Sequence, residues 1–299
     1  MIRETLDFLK MNDVKYKENF PLSLISPVKI GGEATILVYP KTQDELIEIV
    51  DFLGKTKIKH KIVGRMSNVL PPDDKYSGII IRTDFISRYH IKGTSVEASA
   101  GVSLPYLAKI TADAELSGLE ELSGIPGSIG GAIRGNAGAF GREISQLVSR
   151  ITVYDTKTSS FDRLKAEKVC FDYRSSSLMA ENLVILSVKL SLSRSDKSKT
   201  NYLIQRYREK RIATQPVGQA SLGSVFKRPY RDVSAAKLID ECGLKGKKVG
   251  GAKISEKHAG FIVNVGGATA ADYLTLVEYA KDKVYEKFGI LIEREIEVI

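Results

Sequence analysis

A glycine-rich segment, residues 123–141, constrains the fold of this chain more than any other part of the sequence. It reads SGIPGSIGGAIRGNAGAFG, so seven of its nineteen residues are glycine. Glycine is favoured where the backbone takes a positive φ or approaches a ligand closely. Consecutive unobstructed amides form an anion-binding concavity, especially where a loop opens a helix. The segment therefore predicts an ordered loop around a phosphate-bearing ligand.

A flexible linker and a Rossmann-type fingerprint both fit the residues of this segment poorly. A solvated linker would not carry four large apolar side chains. These are Ile125, Ile129, Ile133 and Phe140. A dinucleotide-binding fingerprint of the Rossmann type is a poor match because Pro126 interrupts the run and no acidic residue follows at the expected distance.

The composition is that of an ordinary globular protein, with 43% hydrophobic and 27% charged residues among 299. This length allows two domains or three small ones. No apolar run approaches the roughly 20 residues that span a bilayer, and the N-terminus lacks the apolar stretch of a signal peptide. Cys170 and Cys242 fit a reducing compartment, and we expect both to be buried. These features predict a cytoplasmic protein.

The net charge of +9 has two interpretations. A nucleic-acid-binding protein would concentrate its basic residues on one surface together with aromatic residues, whereas here they are spread along the chain. A positive field also attracts small polyanions into a cleft, which is the interpretation favoured by the phosphate-type loop. The three histidines are scattered and no paired acidic cluster accompanies them, so no metal site is expected.

Helix signals divide the chain into recognisable elements. Two helix starts carry a capping residue with an acid three positions later, Thr42 with Glu45 and Thr269 with Asp272. Gly54 is expected to end the first of these helices and Gly289 the second. A basic helix is predicted over residues 202–211, after a polar stretch, residues 191–200, that is the best candidate for a domain boundary.

Strand-like segments lie between the helices. They are predicted at residues 34–39, 62–63, 79–81, 95–100, 149–154, 183–190 and 290–299. Several of them follow one another without an intervening helix, so the pattern favours a mixed α+β fold over strict βαβ alternation.

The glycine-rich segment also closely resembles the flavin-binding signature of the UDP-N-acetylenolpyruvoylglucosamine reductase (UDP-N-acetylmuramate dehydrogenase) family. Further blocks resemble the same family in the same order, from about Ile30 to the C-terminus. They are Tyr173-Arg174-Ser175-Ser176, Gly223-Ser224-Val225-Phe226-Lys227, residues 250–259 (GGAKISEKHA) and Glu293-Arg294-Glu295. No insertion with an extra tyrosine lies between Arg174 and Ser224, as in the shorter of the family's two types.

The resemblance implies an α+β fold, with a two-subdomain FAD-binding fold of the vanillyl-alcohol-oxidase/p-cresol-methylhydroxylase type and a C-terminal α/β substrate domain. The implied domains are residues 1–82 and 83–200 for FAD and residues 201–299 for substrate. The implied enzyme is an NADPH-dependent FAD oxidoreductase of peptidoglycan precursor synthesis, and so of cell-wall biogenesis, cell shape and cell division. Its expected partners are a UDP-sugar substrate and NADPH, without nucleic acid or membrane, and a monomer is expected.

The resemblance also implies the roles of single residues. Arg174 would hold the substrate carboxylate, Ser224 would donate a proton to the substrate, and Glu295 would be the catalytic glutamate. The residues implied to bind FAD are Gly64, Arg65, Met66, Ser67, Asn68, Gly124, Ile125, Pro126, Gly127, Ser128, Gly130, Gly131, Asn136, Ala137 and Gly138. The residues implied to bind substrate are Tyr173, Arg211, Lys227, Arg228 and Lys253. His258, in the 250–259 block, is better explained as a hydrogen-bonded structural histidine.

The chain departs from the family pattern at two places near the expected FAD site. Met66 stands where the family usually has glycine, and Ser26-Pro27 stand where it has a threonine pair. If that glycine position needs a positive φ, Met66 is strained there, and the loop either takes another path or holds FAD more weakly. Two alternatives therefore stay open: a flavin-deficient or divergent paralogue that binds UDP-sugars, and an FAD oxidoreductase of the same fold with another substrate.

Overall fold

The computed structural model describes residues 2–180, 182–230 and 232–299. Within them the helices are α1 (Ile2–Met11), α2 (Gln43–Lys55), α3 (Leu104–Asp113), α4 (Ile129–Arg134), α5 (Lys197–Thr214), α6 (Ala235–Glu241) and α7 (Ala270–Phe288). The strands are β1 (Lys15–Pro21), β2 (Glu33–Tyr39), β3 (His60–Val63), β4 (Val69–Leu70), β5 (Tyr76–Arg82), β6 (Tyr89–Lys92), β7 (Ser95–Ser99), β8 (Leu116–Ser117), β9 (Gly138–Ala139), β10 (Arg142–Glu143), β11 (Val148–Asp155), β12 (Ser160–Lys165), β13 (Phe171–Asp172), β14 (Ser175–Ser176), β15 (Leu183–Ser191), β16 (Ser193–Arg194), β17 (Ser221–Ser224), β18 (Lys248–Val249), β19 (Ala252–Ile254), β20 (Phe261–Asn264) and β21 (Glu297–Val298).

The chain divides into two compact units, each assembled from three stretches of sequence. The first unit comprises Met1–Glu18, Ile36–Arg65 and Gly78–Glu209. The second comprises Asn19–Thr35, Met66–Ser77 and Lys210–Ile299. The division into three domains ending at residues 82 and 200 stays a prediction.

The first unit contains two hydrophobic cores. One lies between helices α3 and α4 and an antiparallel sheet with the strand order β12-β11-β15-β7-β6. The other is formed by the apolar faces of α1 and α2 against β2 and β5, which belong to a sheet of order β1-β2-β5-β3. The glycine-rich segment follows α3 and includes α4, so it is anchored to the first of these cores.

The second unit is built on an antiparallel sheet of order β17-β20-β19-β18, against which α6 and α7 pack. Val28, Ile30 and Leu70 join the same core from distant parts of the sequence. The Asp73 carboxylate accepts hydrogen bonds from the first amides of α7, at 2.6 Å from Ala270 N and 3.0 Å from Ala271 N. A carboxylate at this helix end satisfies free amides and complements the helix dipole.

The structure confirms the predicted N-caps of α2 and α7 and the predicted end of α7. Thr42 accepts a hydrogen bond from Glu45 N, and Thr269 forms a complete capping box with Asp272. Gly289 ends α7 with a φ of 66°. The Glu45 carboxylate binds Lys41 N rather than the amide of the N-cap residue.

Three expectations are wrong. Helix α2 continues through Gly54 to Lys55, and Lys57 takes the left-handed conformation instead, with a φ of 54°. The predicted continuous strand over residues 290–299 is reduced to β21, which pairs with the two-residue β4, and an isolated antiparallel bridge between Arg294 and Phe226. Cys170 is exposed rather than buried, whereas Cys242 is partly buried.

The predicted basic helix is confirmed and is longer than expected, because α5 begins at Lys197 inside the polar stretch. Thr200 is its buried residue, and most of its other side chains are accessible to solvent. Among the described residues no helix combines the length and the apolar character needed to cross a membrane.

Removing the hydroxyl group is expected to have opposite effects on stability at two buried tyrosines. Tyr273 is fully buried in the second core, and its hydroxyl has no hydrogen-bond partner in the described part of the chain. Burial raises the pKa of Tyr273, so the hydroxyl stays neutral. We expect Tyr273→Phe to increase the free energy of unfolding by about 1 kcal/mol, because a buried unsatisfied polar group is removed.

The matched control is Tyr154→Phe in the first unit. The Tyr154 hydroxyl lies 2.7 and 2.6 Å from the two Asp51 carboxylate oxygens. Its loss should lower the free energy of unfolding by about 1–3 kcal/mol. Denaturant titration measures both effects, and a destabilised Tyr273→Phe protein would contradict the prediction.

Candidate active site

The glycine-rich segment is an ordered loop that leads into α4. Ile129 N donates to Val102 O and Gly130 N to Ala100 O, both at 2.8 Å, which ties the loop to the residues after β7. Ser128 is the N-cap of α4, and its Oγ accepts a hydrogen bond from Gly131 N. The prediction of an ordered loop at this place is therefore confirmed.

Two glycines allow close approaches that a side chain would prevent. A Cβ at Gly64 would collide with Ser128 Oγ, so the loop after β3 and the glycine-rich loop are in contact within the first unit. A Cβ at Gly130 would lie 2.8 Å from Ala100 Cβ. Gly127 has a φ of 137°, a conformation that other residues rarely adopt.

The amide of Gly127 donates to no acceptor in the described part of the chain, although the Gly127 carbonyl accepts from Leu104 N. An available amide in a positive-φ glycine loop, beside a second glycine-containing loop, is a donor suited to a pyrophosphate oxygen. The loops around Gly64 and Gly127 therefore fit the diphosphate of FAD.

The side chain of Asn136, in contrast, is used within the protein. Asn136 is 1% exposed, and its Nδ2 donates to Glu143 Oε2 and to Asp172 O, both at 3.0 Å. Its Oδ1 accepts from Ser145 N at 3.3 Å. The side chain is thus committed to protein partners, and its predicted role as a direct FAD contact is not supported by these hydrogen bonds.

Met66 stands where the family pattern usually has glycine. It takes the left-handed conformation, with a φ of 55°, and it is 2% exposed. The loop thus follows the backbone path that glycine would take, at the cost of strain, and the buried side chain offsets that cost. One of the boundaries between the two units falls between Arg65 and Met66.

This geometry predicts an order of stability for variants of Met66. Met66→Ala removes the buried side chain and keeps the strain, whereas Met66→Gly removes both. We expect both variants to be less stable than the parent protein, by about 2–5 kcal/mol for Ala, with Gly about 1 kcal/mol more stable than Ala. Because the buried side chain of Met66 is an internal contact of the protein, FAD affinity should change little. Denaturant titration and FAD titration of the apoprotein measure these effects, and an Ala variant more stable than the Gly variant would contradict them.

Asn68, in the second unit, is bound to the segment that contains Glu295. Its Nδ2 donates to Glu295 O at 3.1 Å, and Glu297 N donates to Asn68 O at 2.9 Å. The loop that sequence analysis assigned to FAD is therefore hydrogen-bonded, within this unit, to the backbone of a predicted catalytic residue.

Arg174 lies at the tip of the β13–β14 hairpin, in the first unit, with a φ of 52°. Its Nη2 donates to Gly138 O at 2.8 Å, and its guanidinium carbon lies 5.0 Å from the centre of the Tyr173 ring. Ser176 Oγ donates to Arg134 O at 2.7 Å. The structure thus holds the Arg174 hairpin against the end of the glycine-rich segment.

Ser224 and Glu295 lie on two paired segments of the second unit. Glu295 N donates to Val225 O at 2.7 Å, and Lys227 N donates to Glu293 O at 2.9 Å. Ser224 Oγ lies 3.3 Å from Phe226 O. The antiparallel pairing therefore places the backbone of the predicted glutamate next to that of the predicted proton donor.

The predicted substrate-binding residues of the second unit have different surroundings. Lys253 Nζ lies 3.0 Å from Glu256 Oε1, and Lys227 Nζ lies 3.5 Å from Glu293 Oε2. Arg228 is exposed. Burial lowers the pKa of Arg211, and in the described part of the chain its guanidinium has no hydrogen-bond or ion-pair partner. A desolvated cation without a partner would be stabilised by an anionic ligand.

His258, expected to be structural, is hydrogen-bonded through its Nδ1, which accepts from Gly260 N at 3.2 Å. Its ring packs edge-on against Phe261, and burial lowers the pKa of the imidazole. These contacts account for the residue without a role in catalysis.

Two polar residues that adjoin predicted site residues, one in each unit, were not expected from the sequence. Gln215, one helical turn after Arg211, has a buried Oε1 without a partner in the described residues. Glu143 accepts the Asn136 side chain at 3.0 Å. Gln215 lies four positions after Arg211, a helical spacing that could have suggested that the two side chains are neighbours. No local sequence pattern indicates the contact between Glu143 and Asn136.

Comparison with known proteins agrees with this geometry. The model of the FAD binding domain family matches residues 34–158, which include both glycine turns. The model described as UDP-N-acetylenolpyruvoylglucosamine reductase, C-terminal domain, matches residues 215–299. The fold and these loops define a flavoenzyme, an FAD-dependent oxidoreductase.

Similarity to individual proteins covers nearly the whole chain. UDP-N-acetylenolpyruvoylglucosamine reductase from Caldicellulosiruptor bescii is 42% identical over 298 residues, 98% of this chain and 93% of that protein. The enzyme of the same name from Listeria monocytogenes serotype 4a is 41% identical over 96% of this chain and 95% of its own. The crystal structure of the reductase from Thermus caldophilus superposes with a TM-score of 0.80 at 32% identity, covering 95% of this chain and 98% of that one. The chain belongs to the UDP-N-acetylenolpyruvoylglucosamine reductase family.

These findings confirm the family and the fold class expected from the sequence, and FAD as cofactor. They do not favour either alternative, a flavin-deficient paralogue or an oxidoreductase with another substrate. The roles of the individual site residues stay predictions.

Proposed function

We propose that this chain reduces UDP-N-acetylglucosamine enolpyruvate to UDP-N-acetylmuramate with NADPH, in the synthesis of peptidoglycan precursors. The observation that carries the proposal is the 42% identity to a reductase of that name over 98% of the chain, which includes both the FAD loops and the C-terminal segments. We place the enzyme in the cytoplasm, where the substrates occur, and expect it to act as a monomer.

The loops around Gly64 and Gly127 would hold the diphosphate of FAD through backbone amides that the described part of the protein does not use itself. Bound FAD supplies hydride transfer, from NADPH to one carbon of the enolpyruvyl double bond. The protein itself binds the two substrates in turn, excludes competing reactions, stabilises the negative charge that develops on the substrate and supplies a proton.

Arg174 is the residue assigned to stabilise the negative charge that develops on the substrate. Hydride addition to one alkene carbon leaves negative charge on the other, conjugated with the neighbouring carboxylate. A guanidinium can bind that carboxylate through two parallel N–H donors, which a lysine ammonium cannot do. The proposed role is supported by the fixed position of the hairpin, with Arg174 Nη2 at 2.8 Å from Gly138 O.

Proton delivery is assigned to Ser224 and Glu295. The Ser224 hydroxyl gives its proton to the carbon that carries the charge, and Glu295 replaces or relays that proton. A positioned proton donor contributes about 10²–10⁴-fold in rate. The support is that the two residues stand on paired segments, with Glu295 N at 2.7 Å from Val225 O.

Substrate binding is assigned to Tyr173, Arg211, Lys227, Arg228 and Lys253. Arg211 has the best structural support, because its partly desolvated guanidinium would be satisfied by a phosphate or another anion. Lys227 and Lys253 pair with exposed carboxylates, and such pairs cost little to exchange for a phosphate.

The experiment that tests the proposal follows the two half-reactions separately. The purified protein should be yellow, with a flavin band that survives dialysis, and anaerobic NADPH should bleach that band. Addition of UDP-N-acetylglucosamine enolpyruvate should then restore it and yield UDP-N-acetylmuramate in equal amount. A flavin that is reduced by NADPH but not reoxidised by this substrate would point to a different substrate, and a colourless protein that binds no FAD would overturn the proposal.

A further inference from the structure

We propose that Asn136 is a positioning residue, which holds the hairpin of Arg174 in place for the reaction, rather than a ligand of FAD. The inference rests on the proposed function, because it takes Arg174 as the residue that binds the substrate carboxylate. It differs from the expectation for Asn136 as a cofactor contact, and it assigns a use to a buried polar group that has no part in the proposed hydride and proton transfers.

The side chain of Asn136 makes three hydrogen bonds to protein partners. Its Nδ2 lies 3.0 Å from both Glu143 Oε2 and Asp172 O, and its Oδ1 lies 3.3 Å from Ser145 N. Two acceptors face the amide nitrogen and one donor faces the amide oxygen, so the orientation of the side chain is unambiguous. The backbone N–H of Asn136 is also used, since it donates to Ile133 O at 3.2 Å.

One of these partners is the strand that leads to Arg174. Asp172 ends β13, and Arg174 is at the tip of the two-residue turn between β13 and β14. The hydrogen bond from Asn136 to Asp172 O therefore fixes the hairpin just before the turn. Its other strand is fixed by Ser176 Oγ, which donates to Arg134 O at 2.7 Å.

The same short segment also contacts the guanidinium itself. Arg174 Nη2 donates to Gly138 O at 2.8 Å, two residues after Asn136. Residues 134–138 therefore hold the hairpin at three points: before the turn, after the turn and at the side chain of Arg174. A two-stranded hairpin with two residues in each strand has too few contacts of its own to define the position of its tip.

Asn136 also needs its own orientation to be fixed. The carboxylate of Glu143 accepts one of its N–H donors in a charge-assisted hydrogen bond, which is stronger than a neutral one. Asn136 has a φ of 41°, a left-handed conformation in which asparagine is tolerated better than most residues. Both the side chain and the backbone conformation thus select asparagine at this place.

The test compares Asn136→Ala with a matched control, Asn182→Ala. Asn182 also donates a partly buried hydrogen bond to a carboxylate of the first unit, Asp155 Oδ1 at 2.9 Å, but it lies just before β15 and outside the hairpin. For Asn136→Ala we expect the FAD affinity of the apoprotein and the rate of flavin reduction by NADPH to stay within about threefold of the parent. The rate of reoxidation by the enolpyruvyl substrate should fall about 100-fold, the scale of loss expected when a reacting group is misplaced by about 1 Å.

A readout independent of catalysis is amide hydrogen exchange. A peptide covering residues 170–177 should exchange faster in Asn136→Ala than in Asn182→Ala, because local opening of the hairpin becomes easier. This result does not depend on the substrate, so it separates failure of the positioning role from failure of the proposed function. Unchanged exchange in this peptide would overturn the inference even in an active enzyme.

A double variant tests whether Asn136 acts through Arg174. With Arg174→Lys already present, Asn136→Ala should slow reoxidation by less than about threefold more, because residues that act as a unit are not additive. Fully additive losses in the reoxidation rate would overturn the inference. A more than tenfold loss of FAD affinity with an unchanged reoxidation rate would also overturn it.

If Asn136→Ala does not fold, Glu143→Gln weakens the same hydrogen bond while keeping the shape of the side chain. It should reduce reoxidation selectively by about threefold to tenfold, and equal slowing of both half-reactions would overturn the inference.

Discussion

Ser224→Ala is expected to slow reoxidation of the reduced flavin by the enolpyruvyl substrate about 10²–10⁴-fold, while flavin reduction by NADPH stays unchanged. The reason is that only the second half-reaction requires a proton on the substrate carbon, and a positioned donor contributes a factor of this size. Stopped-flow absorbance of the flavin measures both rates in one protein. The matched control is Ser221→Ala, at the other end of β17, which should leave both rates unchanged.

Glu295→Gln extends this prediction to the relay. Glutamine keeps the shape and the hydrogen-bonding ability of glutamate but cannot supply or transfer a carboxylic proton, so this variant should resemble Ser224→Ala. Because the two residues would act as a unit, the double variant should be little slower than either single one. Additive losses would mean that the two residues work independently, and the proton-delivery role of Glu295 would have to be abandoned.

Arg174→Lys is expected to lower the rate of substrate reduction about 100-fold, with a much smaller effect on substrate affinity. The guanidinium is proposed to stabilise charge that develops only as the hydride arrives, so its loss should affect the transition state more than the bound substrate. Lysine keeps the positive charge, but it lacks the planar pair of donors with which a guanidinium binds a carboxylate.

The control for this change is Arg163→Lys, at an exposed position of β12. It should leave both half-reactions unchanged. Single-turnover traces recorded over a range of substrate concentrations separate the rate from the affinity. If Arg174→Lys weakened only affinity and kept the maximal reoxidation rate, Arg174 would be a binding residue without a role in charge stabilisation.

Much of the fold was predictable where the signals are local. The N-caps at Thr42 and Thr269 and the left-handed Gly289 involve residues within a few positions of each other, and the sequence places all three correctly. The end of α2 was not predictable in this way. A glycine inside a helix costs only about 1 kcal/mol, so Gly54 does not by itself stop a helix whose apolar face is buried by Leu53 and its neighbours.

The candidate site was predictable as a set of residue types and motifs but not as a set of contacts. The glycine-rich loop was expected to be ordered, and its φ values and close approaches agree. In contrast, no local pattern indicated that the side chain of Asn136, a predicted FAD-binding residue, binds a hairpin residue 36 positions later. Asn68 donates to Glu295 O across 227 residues of sequence.

The resemblance of short motifs identified the family, and local patterns located the ordered glycine-rich loop and the caps of α2 and α7, because glycine freedom and capping chemistry act over a few neighbouring residues. Which polar side chains remain available to a ligand, and which are used within the protein, depends on contacts between distant segments. Asn136 and Arg211 illustrate the two outcomes: one is saturated by Glu143, Asp172 and Ser145, and the other is partly buried without a partner in the described residues. A hydrogen bond requires its atoms to meet within about 3 Å, and that depends on how distant strands and loops pack, which no local pattern specifies.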